Sequence, residues 1–443
     1  MGRPRALLVN PYIYDFAAYS FWSSPLGLLY IGGILVKNGF RTELIDCMRV
    51  REDKRKPDGR APFVKEKVLR PEKLKGTEKT MRRYGISPKA FREELARIER
   101  PDLVFITSIM TYWYPGVKEV VDIVREIFES SKIIVGGIHP TLCYEEATRV
   151  FKSADLVVRA KDVALLYRFV EESCSSTLSF KPPLDDLNAL PYPVYNLCRE
   201  IPFVPLLTSF GCPFRCTYCA SPFMYPRIVR RSVECVLKEI CHWRESGVER
   251  FVIYDDSFLY QSRIYAKPLL RKIGLAFPQA SFYNPNAVNA SFIDDELAEL
   301  LMGAGFKEVR IGLESIDPRR QKDTGGKVTN ATFEQAVRSL NKAGYGEQQI
   351  SAYVLAGLPG QCWQEVKEAL DYLRYHQVTP HIAGYAPTPH TTMFDRFHKL
   401  ARFPVADDSI YQNNALFPFA WEGFTEKDLE MLKRYAKGDA DQD

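Results

Sequence analysis

Short apolar, β-branched runs alternate with stretches of helical period from one end of the chain to the other. In the first half the runs predict strands at residues 6–10, 42–46, 103–107, 132–135 and 155–158. Between them, Ser24 is placed to cap a helix that Pro25 opens and Gly39 ends. Ser87-Pro88 opens an amphipathic helix to about residue 100, and residues 115–129 predict another. Apolar strands alternating with helices predict a parallel sheet covered on both faces, the doubly wound α/β arrangement. Ligands on such sheets sit at the carboxyl ends of the strands, here residues 10–24, 46–47, 107–114 and 136–141.

The second half predicts six more strands, near residues 205–209, 250–254, 281–283, 308–313, 350–355 and 382–385. One phrase recurs where a helix hands over to a strand: Gly247-Val248, Gly305-Phe306 and Gly344-Tyr345. Glycine suits the left-handed residue just past a helix, and the apolar residue after it packs back. Three uses of one connection predict a repeated architecture, a partial (βα)6 barrel with its chemistry at the strand carboxyl ends. Proline-rich residues 181–204 read as a semi-extended linker. The expected division is therefore 1–180, linker 181–204, barrel 205–395 and a C-terminal extension 396–443.

Composition narrows the class. The chain has 443 residues, 46% hydrophobic and 26% charged, which excludes collagen-like, wholly disordered and membrane-bundle readings. A net charge of +5 is too small to argue for nucleic acid. Residues 51–100 are the exception, with 17 Lys/Arg against 9 Asp/Glu. They form either a solvated insertion or a docking surface for an acidic partner. Residues 16–36 carry no charge, but the helical part from Pro25 to Val36 rises only about 18 Å, short of the ~30 Å a membrane span needs. Met1-Gly2-Arg3-Pro4-Arg5 runs directly into strand-like residues, so no secretory signal is expected. Ten cysteines in such a chain point to a reducing, cytoplasmic setting and to cofactor chemistry.

The sharpest chemical signal is Gly211-Cys212-Pro213-Phe214-Arg215-Cys216-Thr217-Tyr218-Cys219, directly after the first barrel strand. Three thiolates on one short loop leave an open position at whatever centre they hold. An iron–sulfur cluster with three cysteine ligands keeps one iron free for a substrate. The alternative is a zinc site completed by Cys235, Cys241 or His242.

At this motif the chain resembles the radical S-adenosylmethionine (SAM) superfamily. The resemblance implies a 4Fe-4S cluster on Cys212, Cys216 and Cys219 that chelates SAM at its free iron. It also implies SAM contacts from Tyr218, from Asp255 or Asp256 in Tyr254-Asp-Asp-Ser-Phe258, and from Arg310 and Glu314 in Glu308-Val-Arg-Ile-Gly-Leu-Glu-Ser315. Strand alternation places Arg310, Gly312 and Glu314 on one face, where an internal Arg–Glu ion pair is the alternative. The turns Ala356-Gly-Leu-Pro-Gly360 and Pro387-Thr-Pro-His-Thr391 resemble family loops near the adenine and substrate.

The first half resembles the cobalamin-binding domain that precedes such barrels in one large subgroup. The similar stretches are Leu7-Leu-Val-Asn-Pro11, Leu44-Ile-Asp46, Pro101-Asp-Leu-Val-Phe-Ile-Thr107 and Ile134-Val-Gly-Gly-Ile-His-Pro140. The implied cobalamin contacts are Asn10, Thr107, Ser108, Trp113, Gly136, Gly137 and His139, with core packing the alternative for Trp113, Tyr112 and Tyr114. Two departures stand out. The Asp-x-His-x-x-Gly motif that supplies histidine to cobalt in some cobalamin proteins is absent, and the acidic Gly-Glu-Gly-Glu reads Arg159-Ala-Lys-Asp162. His139 is accordingly expected to hydrogen-bond or line a cavity rather than ligate cobalt.

Together the resemblances imply a cobalamin-dependent radical SAM methyltransferase. It would methylate an unactivated carbon by means of methylcobalamin and a 5′-deoxyadenosyl radical. An external electron donor such as flavodoxin or ferredoxin is implied. The substrate class stays open among a peptide, a lipid precursor and a phosphorylated small molecule. Ring formation or rearrangement without methyl transfer is the enzymatic alternative, and a zinc-bearing scaffold or nucleic-acid-binding protein the alternative of another class.

Overall fold

A computed structural model describes residues 3–75, 77 and 79–438; Met1 and Gly2, at the start of the expected signal-free segment, lie outside them. The chain divides into two compact units, one of residues up to Pro202 with Asp408–Ile410, the other of Phe203–Asp407 with the residues after Ile410.

In the first unit a five-stranded parallel sheet runs Arg41–Asp46, Arg5–Asn10, Leu103–Thr107, Lys132–Gly136, Leu156–Val157 from edge to edge. The inner strands are apolar on both faces: Leu7, Leu8, Val9, Val104 and Val135 are wholly buried. Helix Leu26–Lys37 packs closely through Gly32 and Gly33, against Val194 and the Tyr192 carbonyl. Residues expected to stand as a free linker thus fold into this unit. Ser24 does not cap this helix. The N-cap position falls on Pro25 with no side-chain bond, and Ser24 contributes only its carbonyl, to the Leu26 amide at 2.8 Å. Ser87 does cap its helix, Pro88–Leu95, accepting the Ala90 amide at 3.0 Å.

The basic insertion is built into the unit too. Strands Lys65–Lys67 and Arg82–Tyr84 pair antiparallel, and the second also pairs with Ile13–Asp15. Many of its cations are ion-paired, among them Arg51, Arg55, Arg60, Lys73, Arg83 and Arg92. Such pairs at the surface add little stability, but they reduce the charge left for an acidic partner.

The second unit carries six parallel strands in two groups of three. Val204–Leu206, Arg250–Ile253 and Ser281–Tyr283 form one, and Val309–Glu314, Ile350–Ala356 and Thr379–Gly384 the other. Single bridges Phe282–Phe306 and Val288–Ile311 join them into one open arc, the expected partial barrel. The recurring glycines act as predicted. Gly247, Gly305 and Gly344 have φ of 84°, 84° and 104°, and the next residue's amide closes a six-residue ring on the helix, as Val248 does on the Trp243 carbonyl. Each helix therefore ends by aiming the chain into the next strand.

No helix among the described residues is long and apolar enough to cross a membrane.

Candidate functional site

The loop bearing the three cysteines leaves the first barrel strand and is held from below by the second. Asp255, 3% exposed, accepts the Thr208 amide at 2.7 Å, the Ser209 hydroxyl at 2.8 Å and the Thr208 hydroxyl. Burial lifts its carboxyl to about 6, although these donors pull the other way. Asp256 accepts the Gly211 amide at 2.8 Å, the residue where the loop begins. Asp255, one of the two aspartates expected to contact SAM, ties two strand ends together. Asp256 lies nearer the thiols and raises the pKa of Cys212 and Cys219 through its charge.

Further clamps hold the loop's middle. The Thr217 amide and hydroxyl donate to the carbonyls of Thr324 and Asp323 at 3.2 and 3.1 Å, and its carbonyl accepts the Met393 amide at 2.8 Å. A Cβ on Gly325 would come within 2.9 Å of the Cys216 Cα, so this approach needs glycine. Cys212, Cys216 and Cys219 are all unpaired. Burial raises each thiol, Cys219 to about 11, so holding them ionised requires a cationic centre. Three desolvated thiols on one clamped loop, an all-sulfur donor set with an open position, fit an iron–sulfur cluster.

Beside them stands a group that sequence reasoning only half foresaw. The register between strands Val309–Glu314 and Ile350–Ala356 slips between Gly312 and Glu314, and Glu314 takes φ of 68°. The Glu314 carboxylate accepts the Lys327 ammonium at 2.6 Å. Gly312 leaves the room for this pair: a Cβ there would sit 2.9 Å from Glu314 Oε1 and 3.1 Å from Lys327 Nζ. Burial works against the charge on Lys327, but Glu314 and the neighbouring thiols hold its pKa above the ordinary value. Lys327 Nζ also lies 5.8 Å from the Tyr218 ring centroid. The Tyr218 hydroxyl is buried without a hydrogen-bond partner, and its ring packs on Leu355, Leu358, Tyr385, Met393 and Phe419. Arg310 does not pair with Glu314. It donates to Glu308 at 2.6 Å and to the Tyr353 hydroxyl at 3.1 Å. Lys327 escaped the sequence reading; its one signal was the Gly325-Gly326 turn before it.

In the first unit the strand ends gather five of the expected residues, with Asn10 at the neighbouring strand ends. The Ser108 amide donates to the Gly136 carbonyl at 2.8 Å, and the His139 amide to the Ser108 carbonyl at 3.1 Å. Gly137 has φ of 117°, and a Cβ there would lie 2.4 Å from the Ser108 carbonyl oxygen, so no other residue fits. Thr107 is the register partner of Gly136. Asn10 donates to Asp46 at 2.8 Å at the neighbouring strand ends. His139 is fully buried, stacked on Tyr114, with Nδ1 3.3 Å from the Ser108 hydroxyl. Trp113 lies apart from this group: its indole donates to Asp15 at 2.7 Å and it packs on Ile13, Phe63 and Tyr84. On the loops after the first and third strands, Tyr19 and Met110 expose apolar surface, as a site for a broad ring requires.

Residues 206–373 match the radical SAM superfamily, and residues 74–166 the B12 binding domain. An uncharacterised methyltransferase of Pyrococcus horikoshii is 25% identical over 370 residues, 76% of this chain and 75% of its own. The bacteriochlorophyllide d C-12(1)-methyltransferase of Chlorobaculum tepidum is 24% identical over 61% of this chain and 60% of its own. Among solved structures, the radical SAM methyltransferase TsrM of Kitasatospora setae, with cobalamin and a 4Fe-4S cluster bound, superposes with a TM-score of 0.66. That match covers 90% of this chain and 78% of TsrM at 19% identity, a likeness of fold. A B12-binding domain and a radical SAM domain are both present in the chain, in that order. Its cofactors are a 4Fe-4S cluster, SAM and cobalamin.

Proposed function

We propose that this enzyme is a C-methyltransferase acting on an unactivated carbon. The observation that carries the reading is that one chain joins a clamped three-thiol loop on a radical SAM barrel to a B12-binding domain. Methyltransferases among its relatives support it. When bound, the three cofactors supply reductive cleavage of SAM for hydrogen abstraction and a methyl group for transfer.

The chain's own residues would act as follows. Cys212, Cys216 and Cys219 hold the cluster, on a loop fixed by Asp255, Asp256, Thr324 and Met393. Lys327 and Glu314 offer a cation and an anion to the zwitterionic end of SAM, with Asp256 and the unpartnered Tyr218 hydroxyl beside them. Arg310 braces strand Val309–Glu314 through Glu308 and Tyr353. The apolar wall of Leu355, Leu358, Met393 and Phe419 excludes water where a reactive carbon has to be protected. In the other unit, Thr107, Ser108, Gly136 and Gly137 present backbone to a corrin, and Asn10 orders the neighbouring strand ends. His139 stays beneath them and lends cobalt no nitrogen. A reducing cytoplasmic setting is part of the reading, supported by ten cysteines outside any disulfide, and the electron donor is a flavodoxin or ferredoxin.

The test uses the full chain, reconstituted anaerobically with iron, sulfide and cobalamin. It is given SAM deuterated at the methyl group and an extract of a strain lacking the gene. One extract component should gain a deuterated methyl group, with both 5′-deoxyadenosine and S-adenosylhomocysteine formed. A changed component without the label or S-adenosylhomocysteine would establish the ring-forming alternative instead. The triple Cys→Ala variant at 212, 216 and 219 should lose its iron and its 5′-deoxyadenosine; keeping both would overturn the assignment.

A further inference from the structure

We propose that His139, Cys143 and Glu146 form a binding site for a single zinc-class divalent ion in the first unit, separate from the cobalt of cobalamin and the iron of the cluster. The three residues stand at spacings of four and three, His139 in helix Ile138–Leu142, Glu146 in helix Tyr144–Val150, and Cys143 at the junction, where φ of −129° and ψ of 54° break the helix. The Cys143 amide still donates to the His139 carbonyl at 2.8 Å and the Ala147 amide to the Cys143 carbonyl at 2.8 Å, which ties the two helices together. The ligand atoms of the three residues all lie within 4.8 Å of one another. Tetrahedral zinc, with bonds of about 2.0–2.3 Å, wants its donors less than roughly 4 Å apart. His139 Nε2 and Glu146 Oε2 already stand at 3.6 Å, so small rotations close the site.

Two further observations point to a ligand. His139 Nε2 is buried in a fully buried ring and has no hydrogen-bond partner. An orphaned donor or acceptor of this kind is costly, and a metal ion relieves it. The outward atoms, in contrast, are already oriented. Nδ1 faces the Ser108 hydroxyl at 3.3 Å, an oxygen able to accept the Nδ1 proton and so leave the Nε2 lone pair for a metal. Glu146 Oε1 accepts the Ser409 amide at 2.9 Å, which leaves Oε2 turned inward. Outer-shell bonds that aim imidazole and carboxylate in this way accompany bound metals. One nitrogen, one thiolate and one carboxylate oxygen suit zinc better than calcium or magnesium, which take oxygen alone. The ion would pin the Gly136-Gly137 turn, the Ser108 strand end and the Asp408–Ile410 segment to one another.

Wild-type full chain from zinc-supplemented growth is desalted and measured for zinc, iron and cobalt. About one zinc per chain is expected beyond the cluster iron. Absorption at the zinc edge should show one sulfur near 2.3 Å and the remaining ligands near 2.0 Å. Cys143→Ser and Glu146→Gln should each lose most of the zinc while keeping the cluster iron, which reports that the other unit is folded. Less than a tenth of a zinc per chain in wild type overturns the site. So does an all-sulfur shell, which would put zinc on the other cysteines, or zinc retained by both variants. Should both variants fail to fold, the wild-type shell alone decides.

Discussion

The two strand-end sites are built on opposite principles. In the barrel, the site offers functional side chains: three thiols outside any disulfide, a buried phenol hydroxyl without a hydrogen-bond partner, and an ion pair that a missing Cβ makes room for. In the first unit, Asn10, Ser108 and Trp113 are each used up in bonds to the protein itself. Small charged ligands and a metal cluster are gripped by functional groups. A ligand as broad as a corrin can be held by backbone and shape, which needs close approach more than reactive side chains.

Three substitutions would break or sharpen that contrast. Lys327→Met should be the most damaging, because it leaves Glu314, 8% exposed, without its cation. Stripping one partner from such a pair costs about 3–5 kcal/mol. Adding Glu314→Gln should recover most of the loss in denaturant unfolding while SAM binding, by calorimetry, stays impaired. Full recovery of both would make the pair purely structural.

Next comes Asp255. Its folded pKa, about 6, lies above the ordinary 3.8, so the native state binds the proton more tightly than the unfolded chain. Stability from this group is fully present below about 3.8 and is lost as pH rises towards 6. The upper bound on the loss is roughly 3 kcal/mol, at 1.36 kcal/mol per unit. Asp255→Asn should flatten that part of the stability–pH curve; an unchanged slope would mean that the carboxylate is ionised throughout.

The smallest effect expected is at Gly137. Alanine there meets the Ser108 carbonyl and an unfavourable φ, at a cost of about 2 kcal/mol. Because the backbone itself is displaced, cobalamin retention on a sizing column should fall further than after Asn10→Ala. Equal retention in the two variants would restore side chains to the leading role in that unit.

Much of this was readable before any coordinates, for reasons that differ by region. The inner strands follow apolar runs, since burial on both faces leaves little freedom in composition, while Arg41–Asp46 and Thr379–Gly384, at sheet edges, are only half-buried. The cysteine loop was readable because its chemistry requires particular atoms at particular spacings. Glu314 and Arg310 were placed on one face by strand alternation, but a register slip after Gly312, which no periodicity records, accompanies the pairing of Glu314 with Lys327, while Arg310, before the slip, bonds Glu308. Ser24 looked like a cap because capping preferences are local, whereas the helix begins after Pro25. Asp255 and Asp256 could be read only as a pair, because position alone does not show that the Asp255 carboxylate bonds Thr208 and Ser209. Lys327 was invisible because its partner is set by tertiary approach.

The short return of Asp408–Ile410 into the first unit has a consequence for heredity rather than chemistry. Asp408 takes hydrogen bonds from Tyr114 and Lys73, and Ser409 bonds Glu146 and Thr111. A gene fragment ending near codon 202 would therefore encode an incomplete body, missing a piece written more than two hundred codons downstream. Shuffling that traded the corrinoid module alone would leave the recipient with a gap and the donor with an orphaned strap. Recombination is thus biased towards passing the two modules on as one cassette, however separable they look as folds.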